Sequence, residues 1–153
     1  MLMPDVNVLV YAHREDESVH EPARAWVDAT VNGVEPFALS ALAIVGFVRI
    51  ATNPRIYREP TPVSVALAAV DSMLARPNCR LCLPGPRHWQ LVGQLCRDVQ
   101  ATGKKVADAQ HAAVAIEHGC QWVSRDGDFR QFEASGLRWI HLDLAAPGSR
   151  ERS

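Results

Sequence analysis

Short apolar segments alternate with helical segments along most of this sequence, and this alternation constrains the fold more than any other feature. Apart from an ambiguous N-terminus, the segments that read as strands are "PFALS", "CRLCLP", "QWVS" and "RWIHLDL". Strands separated by helices form a mostly parallel sheet with helices on both faces. The chain has 153 residues and no linker or internal repeat, so we expect one α/β domain.

The helical segments carry apolar residues at helical spacing. They are "EPARAWVDATVNG", "ALAIVGFVRIAT", residues 63–76, residues 86–101, "VADAQHAAVAIEHG" and the short "DFRQFEASG". We expect Ser40 and Asp128 to cap two of these helices, and Gly103 to end the 86–101 helix. The faces predicted to point inward carry Val63, Leu67, Val70 and Leu74 in one helix, and Trp89, Leu91, Val92, Leu95 and Val99 in another.

The N-terminal segment "MLMPDVNVLVYAH" allows two interpretations. By β-propensity, Val6 to Tyr11 is a strand. Alternatively, a strand ends at Asp5 and a buried helical turn follows it. The second interpretation places Asp5 at the carboxyl end of the first strand.

The composition is that of a globular protein. Hydrophobic residues make up 48% of the chain, charged residues 22%, and the net charge is −1. No apolar run reaches the roughly 18 residues that span a bilayer, and the N-terminus has no signal-peptide pattern, so we expect a cytoplasmic protein. The charge balance decides little about nucleic-acid binding. We expect residues 1–145 to form the domain and residues 146–153 to be a flexible tail.

Cys79 and Cys82 form a Cys-x-x-Cys pair, a spacing used in zinc and redox sites. The pair lies in a predicted strand, where positions three apart point to opposite faces, and no second pair completes four ligands. We therefore predict that these cysteines, with Cys96 and Cys120, are buried and inert thiols.

Acidic residues follow two predicted strands and begin one helix. Asp5 ends the first strand, Asp126 and Asp128 follow "QWVS", and Asp108 is expected in the first turn of its helix. Because ligands collect at the carboxyl ends of parallel strands, the four carboxylates are predicted to share one edge of the sheet. Their repulsion calls for a cation. Oxygen ligands alone suit Mg²⁺ or Mn²⁺, and phosphodiester hydrolysis is the natural chemistry of such a site.

Taken singly, each of these acids has another explanation. Asp5 could end a strand in solvent, and Asp108 could serve only to complement the helix dipole. Asp126 could belong to an Asp-Gly turn, and Asp128 could be only a helix cap. Their joint occurrence favours a site.

Four stretches give the chain a resemblance to PIN-domain ribonucleases, specifically the VapC-type toxins of bacterial toxin–antitoxin systems. They are "PDVNVLVYAHR", "LSALAIVGFVRIATNPRI", "VADAQHAAVAIEHG" and "VSRDGDFRQF". They occur in the family's order and extend the resemblance to about Leu144. The resemblance implies a three-layer α/β/α PIN-like fold with a mostly parallel central sheet. It also implies Mg²⁺- or Mn²⁺-dependent cleavage of RNA (tRNA, rRNA or mRNA), a VapB-type antitoxin and a homodimer.

The same resemblance assigns roles to individual residues. It implies Asp5, Asp108 and Asp126 as catalytic, metal-binding acids, with Asp128 supporting or joining the metal ligands. Asn7 and Ser124 match small polar residues of the motifs. These two side chains are expected to orient ligands or waters.

One position departs from the family pattern. PIN domains usually carry a glutamate in the helix after the second strand, and Gly46 aligns with it here. No acid lies between Glu35 and Glu59, so no neighbour on that helix replaces it. The departure puts a second metal ion in doubt more than the first.

Basic residues near the motifs are candidates for contact with RNA, because an arginine fork binds two phosphate oxygens. The foremost are Arg14, Arg49 and Arg125. Further candidates are Arg55, Lys104, Lys105 and Arg130. For each alone, a solvated surface charge is the competing explanation. His111 shares a helical face with Asp108, and a packed or surface histidine is the favoured interpretation.

Two other functions compete with the nuclease. A haloacid-dehalogenase-like phosphatase would use Asp5 as a nucleophile, but it needs an acid where this chain has Asn7. A catalytically weakened PIN module would bind RNA or a protein without cutting, and Gly46 is its best support. The apolar residues of 41–50 and 64–74 exceed what one helix face needs, which favours dimer or antitoxin contacts.

Overall fold

The computed structural model describes residues 1–144 and contains a five-stranded sheet in which every strand is parallel to its neighbours. The sheet order is β3-β2-β1-β4-β5. The strands are β1 Leu2–Pro4, β2 Phe37–Ser40, β3 Cys79–Cys82, β4 Gln121–Ser124 and β5 Arg138–His141. The predicted C-terminal tail, residues 146–153, lies outside the described residues.

Helices connect successive strands and cover the sheet. They are α1 Val6–His13, α2 His20–Val31, α3 Ala41–Ala51, α4 Val63–Leu74, α5 His88–Val99, α6 Lys104–Glu117 and a 3₁₀ helix Gly127–Ser135. Among the described residues, no helix is long and apolar enough to cross a membrane.

The two faces of the sheet pack against different sets of helices. Ala38 of β2 and Trp122 of β4 lie in a core with the alanines of α6 and with Phe129 and Phe132. Phe37 and Leu39, the neighbours of Ala38, lie in a second core with residues of α1, α3 and α4. Adjacent strand residues thus enter opposite cores, as the pleat requires. This arrangement confirms the predicted α/β/α fold.

The sheet order places a topological switch point in the middle of the sheet. From β1 the chain adds β2 and then β3 on one side, and β4 and β5 lie on the other. β1 and β4 are therefore neighbours whose following segments diverge, which opens a crevice at their carboxyl ends. Asp5 follows β1 and Asp126 follows β4, so the crevice receives acids from both strands.

The ambiguity at the N-terminus is resolved in favour of a strand followed by a helix. Asp5 is the N-cap of α1, and its Oδ1 accepts a hydrogen bond of 2.6 Å from the backbone N–H of Val6. An aspartate cap satisfies one of the free N–H groups at a helix start. The alternative, in which Val6 to Tyr11 form a strand, is wrong because the cap turns the chain after only three strand residues.

Two predicted inward faces are partly wrong. In α4 the buried residues are Ala66 and Val70, whereas Val63 and Leu67 are exposed, Leu67 by 49%. In α5, Val92 and Leu95 are buried as expected, but Trp89 is 80% exposed. In α4 the prediction of Val70 is correct, but the core contact beside it is made by a small alanine and not by Leu67.

Two predictions about helix ends are also wrong. Ser40 occupies the N-cap position of α3, but its buried hydroxyl makes no capping hydrogen bond. Helix α5 ends at Val99 with Gln100 in a left-handed conformation, φ 52°, so Gly103 does not end it. Gly103, with φ 59°, instead forms the turn into α6, a conformation that glycine adopts readily.

The four cysteines are free thiols. Cys79 packs in the core that contains Phe37, and Cys82 packs in the one that contains Trp122, so the pair points to opposite faces as predicted. Burial raises the pKa of Cys82 to about 11 and also raises the pKa of Cys120. A raised pKa leaves little reactive thiolate at neutral pH.

Candidate active site

Asp5 is held rigidly at the boundary between β1 and β4. Besides capping α1, its Oδ2 accepts a 2.5 Å hydrogen bond from the hydroxyl of Ser124. Its backbone N–H donates to the carbonyl of Val123 at 2.8 Å. Both carboxylate oxygens and the backbone are therefore fixed by neutral donors and acceptors of β4 and of the start of α1.

Ser124 connects Asp5 to the segment after β4. Its buried hydroxyl oxygen accepts hydrogen bonds from the backbone N–H of Asp126 at 2.9 Å and from the Asn7 amide at 3.3 Å. Asn7 and Ser124 thus contact each other, and Ser124 contacts Asp5 and Asp126, as a positioning role requires. That role itself stays a prediction.

A second group of carboxylates lies beside Asp5. One oxygen from each of Asp108, Asp126 and Asp128 lies within 4.8 Å of the others. The ammonium group of Lys104 contacts all three, at 3.4 Å from Asp108, 3.0 Å from Asp126 and 4.0 Å from Asp128. The convergence predicted from the sequence therefore includes a cation that the sequence did not assign to this place.

Two local details differ from the sequence predictions. Asp108 is the fifth residue of α6, so it is one turn further into the helix than expected and gains little from the helix dipole. The N-cap of the 3₁₀ helix is Asp126, whose Oδ1 accepts from the backbone N–H of Asp128 at 2.9 Å. Asp128 is consequently not the cap, and its carboxylate stays exposed.

Burial dominates the ionisation of the inner acids. It raises the pKa of Asp5 to about 6, against the opposing hydrogen bonds from Ser124 and Val6, and repulsion by Asp108 and Asp126 adds to the rise. Burial likewise raises the pKa of Asp108, although Lys104 opposes it. Both carboxylates are thus less stable in their charged form than an ordinary aspartate.

The outer acid behaves differently. Burial acts to raise the pKa of Asp126, but the N–H of Asp128 and the ammonium of Lys104 outweigh it and leave the pKa below its ordinary value. The hydrogen bond to Asp126 in turn raises the pKa of Lys104.

The donor set fits a hard divalent cation. The converging groups are carboxylates, which suit Mg²⁺ or Mn²⁺ rather than a softer metal. They already attract a cation, Lys104, and the inner ones are destabilised as anions. Asp5 stands slightly apart from the group of three, but it lines the same cleft as Asp108 and Asp126.

This cleft, of 390 Å³, also receives residues that the sequence motifs did not indicate. Glu17, from the segment after α1, lines it and accepts a 2.7 Å hydrogen bond from the hydroxyl of Tyr57. Among the cleft-lining residues, Glu17 is the one carboxylate besides Asp5, Asp108 and Asp126. No motif marks it, because its position depends on how the loop after α1 folds back.

Gly46 lines the cleft at the place where α3 meets the start of α1. A Cβ atom on Gly46 would lie 2.9 Å from Cγ2 of Val6. Real Cβ contacts are essentially never that short, so a side chain here forces Val6 or a helix to move. The glycine therefore permits a close helix contact at the position where the resemblance to PIN domains implies a glutamate.

The three foremost arginine candidates differ in their surroundings. Arg49 lines the cleft. Arg125, next to Asp126, lies with its guanidinium 5.7 Å from the ring of Tyr11. Arg14 is instead paired with Asp16 at 2.6 Å and stacked on Tyr57 at 4.0 Å, which ties it to the loop after α1.

His111 is a packed histidine, as predicted. Its ring stacks on Trp122 with centroids 5.4 Å apart, and burial lowers its pKa to about 4. It also borders the cleft, where its neutral ring forms part of the wall.

Fold and site together define a class of protein: a parallel α/β domain with an acidic cleft at its central switch point. A model of the PIN domain family matches residues 2–134. Ribonuclease VapC43 of Mycobacterium tuberculosis is 44% identical over 141 residues, which cover 92% of this chain and 95% of that protein. Ribonuclease VapC31 of the same organism is 40% identical over 132 residues, covering 86% and 93%. The chain belongs to the PIN domain family, among relatives that are VapC ribonucleases.

Solved structures agree with this fold. VapBC2 of Rickettsia felis, bound to a DNA fragment from its promoter, matches with a TM-score of 0.65 at 14% identity and covers 93% of this chain and 98% of that one. VapC20 of Mycobacterium tuberculosis, a Sarcin-Ricin loop cleaving toxin, matches with a TM-score of 0.60 at 16% identity, with coverage of 93% and 98%. At these identities the likeness establishes the fold alone.

Proposed function

We propose that this protein is a metal-dependent endoribonuclease toxin of the VapC type, which hydrolyses phosphodiester bonds of RNA. The observation that carries the proposal is the convergence of Asp5, Asp108 and Asp126 from three separate segments on one cleft, with Asp128 beside Asp108 and Asp126. A fold that served only to bind would have no reason to gather mutually repelling carboxylates. The VapC ribonucleases among its relatives, at 37–44% identity, support the reaction class.

In this proposal Asp5, Asp108 and Asp126 hold Mg²⁺ or Mn²⁺, with Asp128 as an additional ligand. The ion, when bound, supplies an activated water and stabilises negative charge on the phosphate. Ser124 keeps the Asp5 carboxylate oriented, and Asn7 keeps Ser124 in place. In this proposal Arg49, which lines the cleft, and Arg125, which is next to Asp126 in sequence, bind phosphates of the RNA chain.

The partner proposed for neutralisation is a VapB-type antitoxin, and the site of action is the cytoplasm. Structures of VapBC complexes are among those similar in fold. An apolar surface is available for protein contacts: Val45 of α3 is 67% exposed, and Ile44, Val48 and Leu67 line a depression beside it. We assign this α3–α4 surface to the antitoxin or to a second copy in a homodimer.

A binding module that no longer cuts is the second candidate, because Gly46 leaves α3 without the family's glutamate. Cleavage of total bacterial RNA separates the two functions. We expect discrete fragments with Mn²⁺, none with EDTA, and at least a 100-fold lower rate for Asp5→Asn, since this change removes a metal ligand. Asp71→Asn, on the exposed surface of α4, is the matched control and should cut as the wild type does.

Circular dichroism checks that Asp5→Asn stays folded. Wild-type rates from the folded Asp5→Asn protein would remove Asp5 from the mechanism. Absence of cleavage by the wild type with every divalent metal would favour the binding module.

A further inference from the structure

Lys104 occupies an unusual position for a surface lysine. Its side chain is 69% exposed, yet its ammonium lies at the centre of the carboxylate group, 3.0 Å from Asp126 and 3.4 Å from Asp108. Asp128 completes the contact at 4.0 Å. Within residues 1–144, Lys104 is the cation that forms ion pairs with these three acids.

The position follows from the start of α6. Lys104 is the first residue of the helix, and Asp108 lies four residues later on the same face. From there the flexible four-carbon stem reaches across to the segment after β4. The ammonium contacts Oδ2 of each acid, and the same carboxylates are the ligands proposed for the divalent ion.

Ammonium and divalent ion therefore compete for the same oxygens. Both are positively charged, so an ion among these carboxylates repels the ammonium at close range. Because the lysine stem is exposed and is not packed in a core, its displacement breaks few contacts. An acid held by a buried arginine would offer no such exchange.

We propose that Lys104 is an exchangeable counter-ion of the acidic cleft. It offsets part of the negative charge of Asp108, Asp126 and Asp128 when no divalent ion is bound, and it yields these oxygens to the ion when one binds. The released ammonium then stays at the rim of the cleft, where it binds a phosphate of the RNA. This inference rests on the proposed metal site, and it adds a competitor built into the chain.

The test is the affinity for Mn²⁺ in the absence of RNA, measured by isothermal titration on the full chain. Lys104→Gln removes the competing charge while keeping a long polar side chain. We expect it to bind Mn²⁺ about threefold to fivefold more tightly than the wild type, the upper part of the range that one solvent-screened ion-pair group supplies. Lys104→Arg keeps the charge and should bind Mn²⁺ no more tightly than the wild type.

Lys105→Gln is the matched control. Lys105 is the next residue, is exposed, and forms no ion pair in the described part of the chain, so its change removes the same charge away from the acids. It should leave the Mn²⁺ affinity within about twofold of the wild type. With saturating Mn²⁺, Lys104→Gln should raise the KM for RNA, because the released ammonium is missing.

The outcomes separate this inference from the proposed function. Equal Mn²⁺ affinity for the wild type and Lys104→Gln, or a weaker affinity for the variant, overturns the counter-ion while leaving the metal site. Binding by neither protein overturns the metal site and the inference together. Tighter binding by both Lys104→Gln and Lys105→Gln reduces the effect to net charge and also overturns the specific role.

Discussion

The carboxylates on the two sides of the acidic cleft are stabilised by different kinds of partner, neutral hydrogen-bond donors on one side and a lysine on the other. On the inner side, Asp5 is 6% exposed and is held by neutral donors, the hydroxyl of Ser124 and the N–H of Val6. On the outer side, Asp126 and Asp128 are more exposed and share a lysine. The pKa of Asp5 is raised to about 6, whereas the pKa of Asp126 is lowered.

This difference indicates where the cleft is prepared for a cation and where it adapts to one. The inner carboxylate is fixed in place but poorly stabilised as an anion. A divalent ion that binds there offsets the unfavourable free energy of the buried negative charge. The outer carboxylates already share one positive charge and must exchange that partner. The favourable free energy of binding the ion therefore comes mainly from the inner side. Both sides supply carboxylates that fix the position of the ion.

The largest expected effect is a change in the free energy of unfolding when the inner carboxylate, Asp5, is replaced. In the metal-free protein at pH 7.5, Asp5→Asn should be more stable than the wild type by up to about 3 kcal/mol, the equivalent of a pKa rise from 3.8 to about 6. The sign follows from the raised pKa: ionised Asp5 destabilises the fold fully above about pH 6 and not at all below 3.8. The gain should therefore vanish at pH 3.5.

Urea unfolding in the presence of a chelator measures this difference at both pH values. Asp71→Asn, an exposed acid of α4, serves as the control and should change little. The same substitution at Asp5 is expected to abolish cleavage, so stability and activity would move in opposite directions. A stability difference between Asp5→Asn and the wild type that is the same at pH 7.5 and pH 3.5 contradicts the view that the inner carboxylate carries an unrelieved charge.

Much of this contrast follows from the sequence, but not all of it. Parallel strands bring their carboxyl ends together, so the strand–helix alternation places Asp126 at this sheet edge, and it places Asp5 there as well if the first strand ends at that residue. The reach of Lys104 could not, because a flexible exposed side chain follows the local charges rather than any periodic pattern. No sequence motif indicates how the loop after α1 folds, so the position of Glu17 in the cleft could not be predicted either.

The misjudged helix faces have a related physical cause. Apolar spacing identified α4 and α5 correctly, but it ranked large residues above small ones as core residues. The core contact of α4 is made by Ala66, which permits close packing, together with Val70, while Leu67 is left on the surface. Which face turns inward depends on the shape of the neighbouring elements, and the sequence of one helix does not contain that information.

The second effect concerns the close packing behind the inner side. Gly46→Ala should destabilise the protein by about 1–2 kcal/mol, because the new Cβ would meet Cγ2 of Val6 at 2.9 Å. Gly93→Ala, also inside a helix, is the control: its Cβ would meet only the end of the Arg97 side chain at 3.4 Å. Since alanine favours helix, Gly93→Ala should be neutral or stabilising by up to about 1 kcal/mol.

Thermal unfolding of both variants makes the comparison. The result also bears on the glutamate that PIN domains usually carry at this position. A Gly46→Glu variant has the same Cβ atom as Gly46→Ala, so it can add a metal ligand only if Val6 moves. If Gly46→Ala stabilises as much as Gly93→Ala, the inner side is not closely packed there, and restoring the glutamate becomes a direct test of a second metal.

The smallest expected effect lies at Ser124, which joins the two sides. Ser124→Ala removes the donor to Asp5 and the acceptor for the N–H of Asp126, so both sides lose orientation without losing a carboxylate. We expect about a tenfold lower Mn²⁺ affinity and a loss of about 1 kcal/mol in stability. Because the Ser124 hydrogen bond lowers the pKa of Asp5, that pKa should rise further in the variant.

Ser135→Ala controls for the loss of a hydroxyl that is hydrogen-bonded to an acid. Ser135 donates a 2.6 Å hydrogen bond to Asp98, and this pair does not line the cleft. Mn²⁺ titration should separate the two serine variants, whereas urea unfolding should separate them only weakly. An unchanged Mn²⁺ affinity in Ser124→Ala would mean that the cap on α1 alone orients Asp5. The inner and outer carboxylates would then act independently, and the comparison between them would lose its physical link.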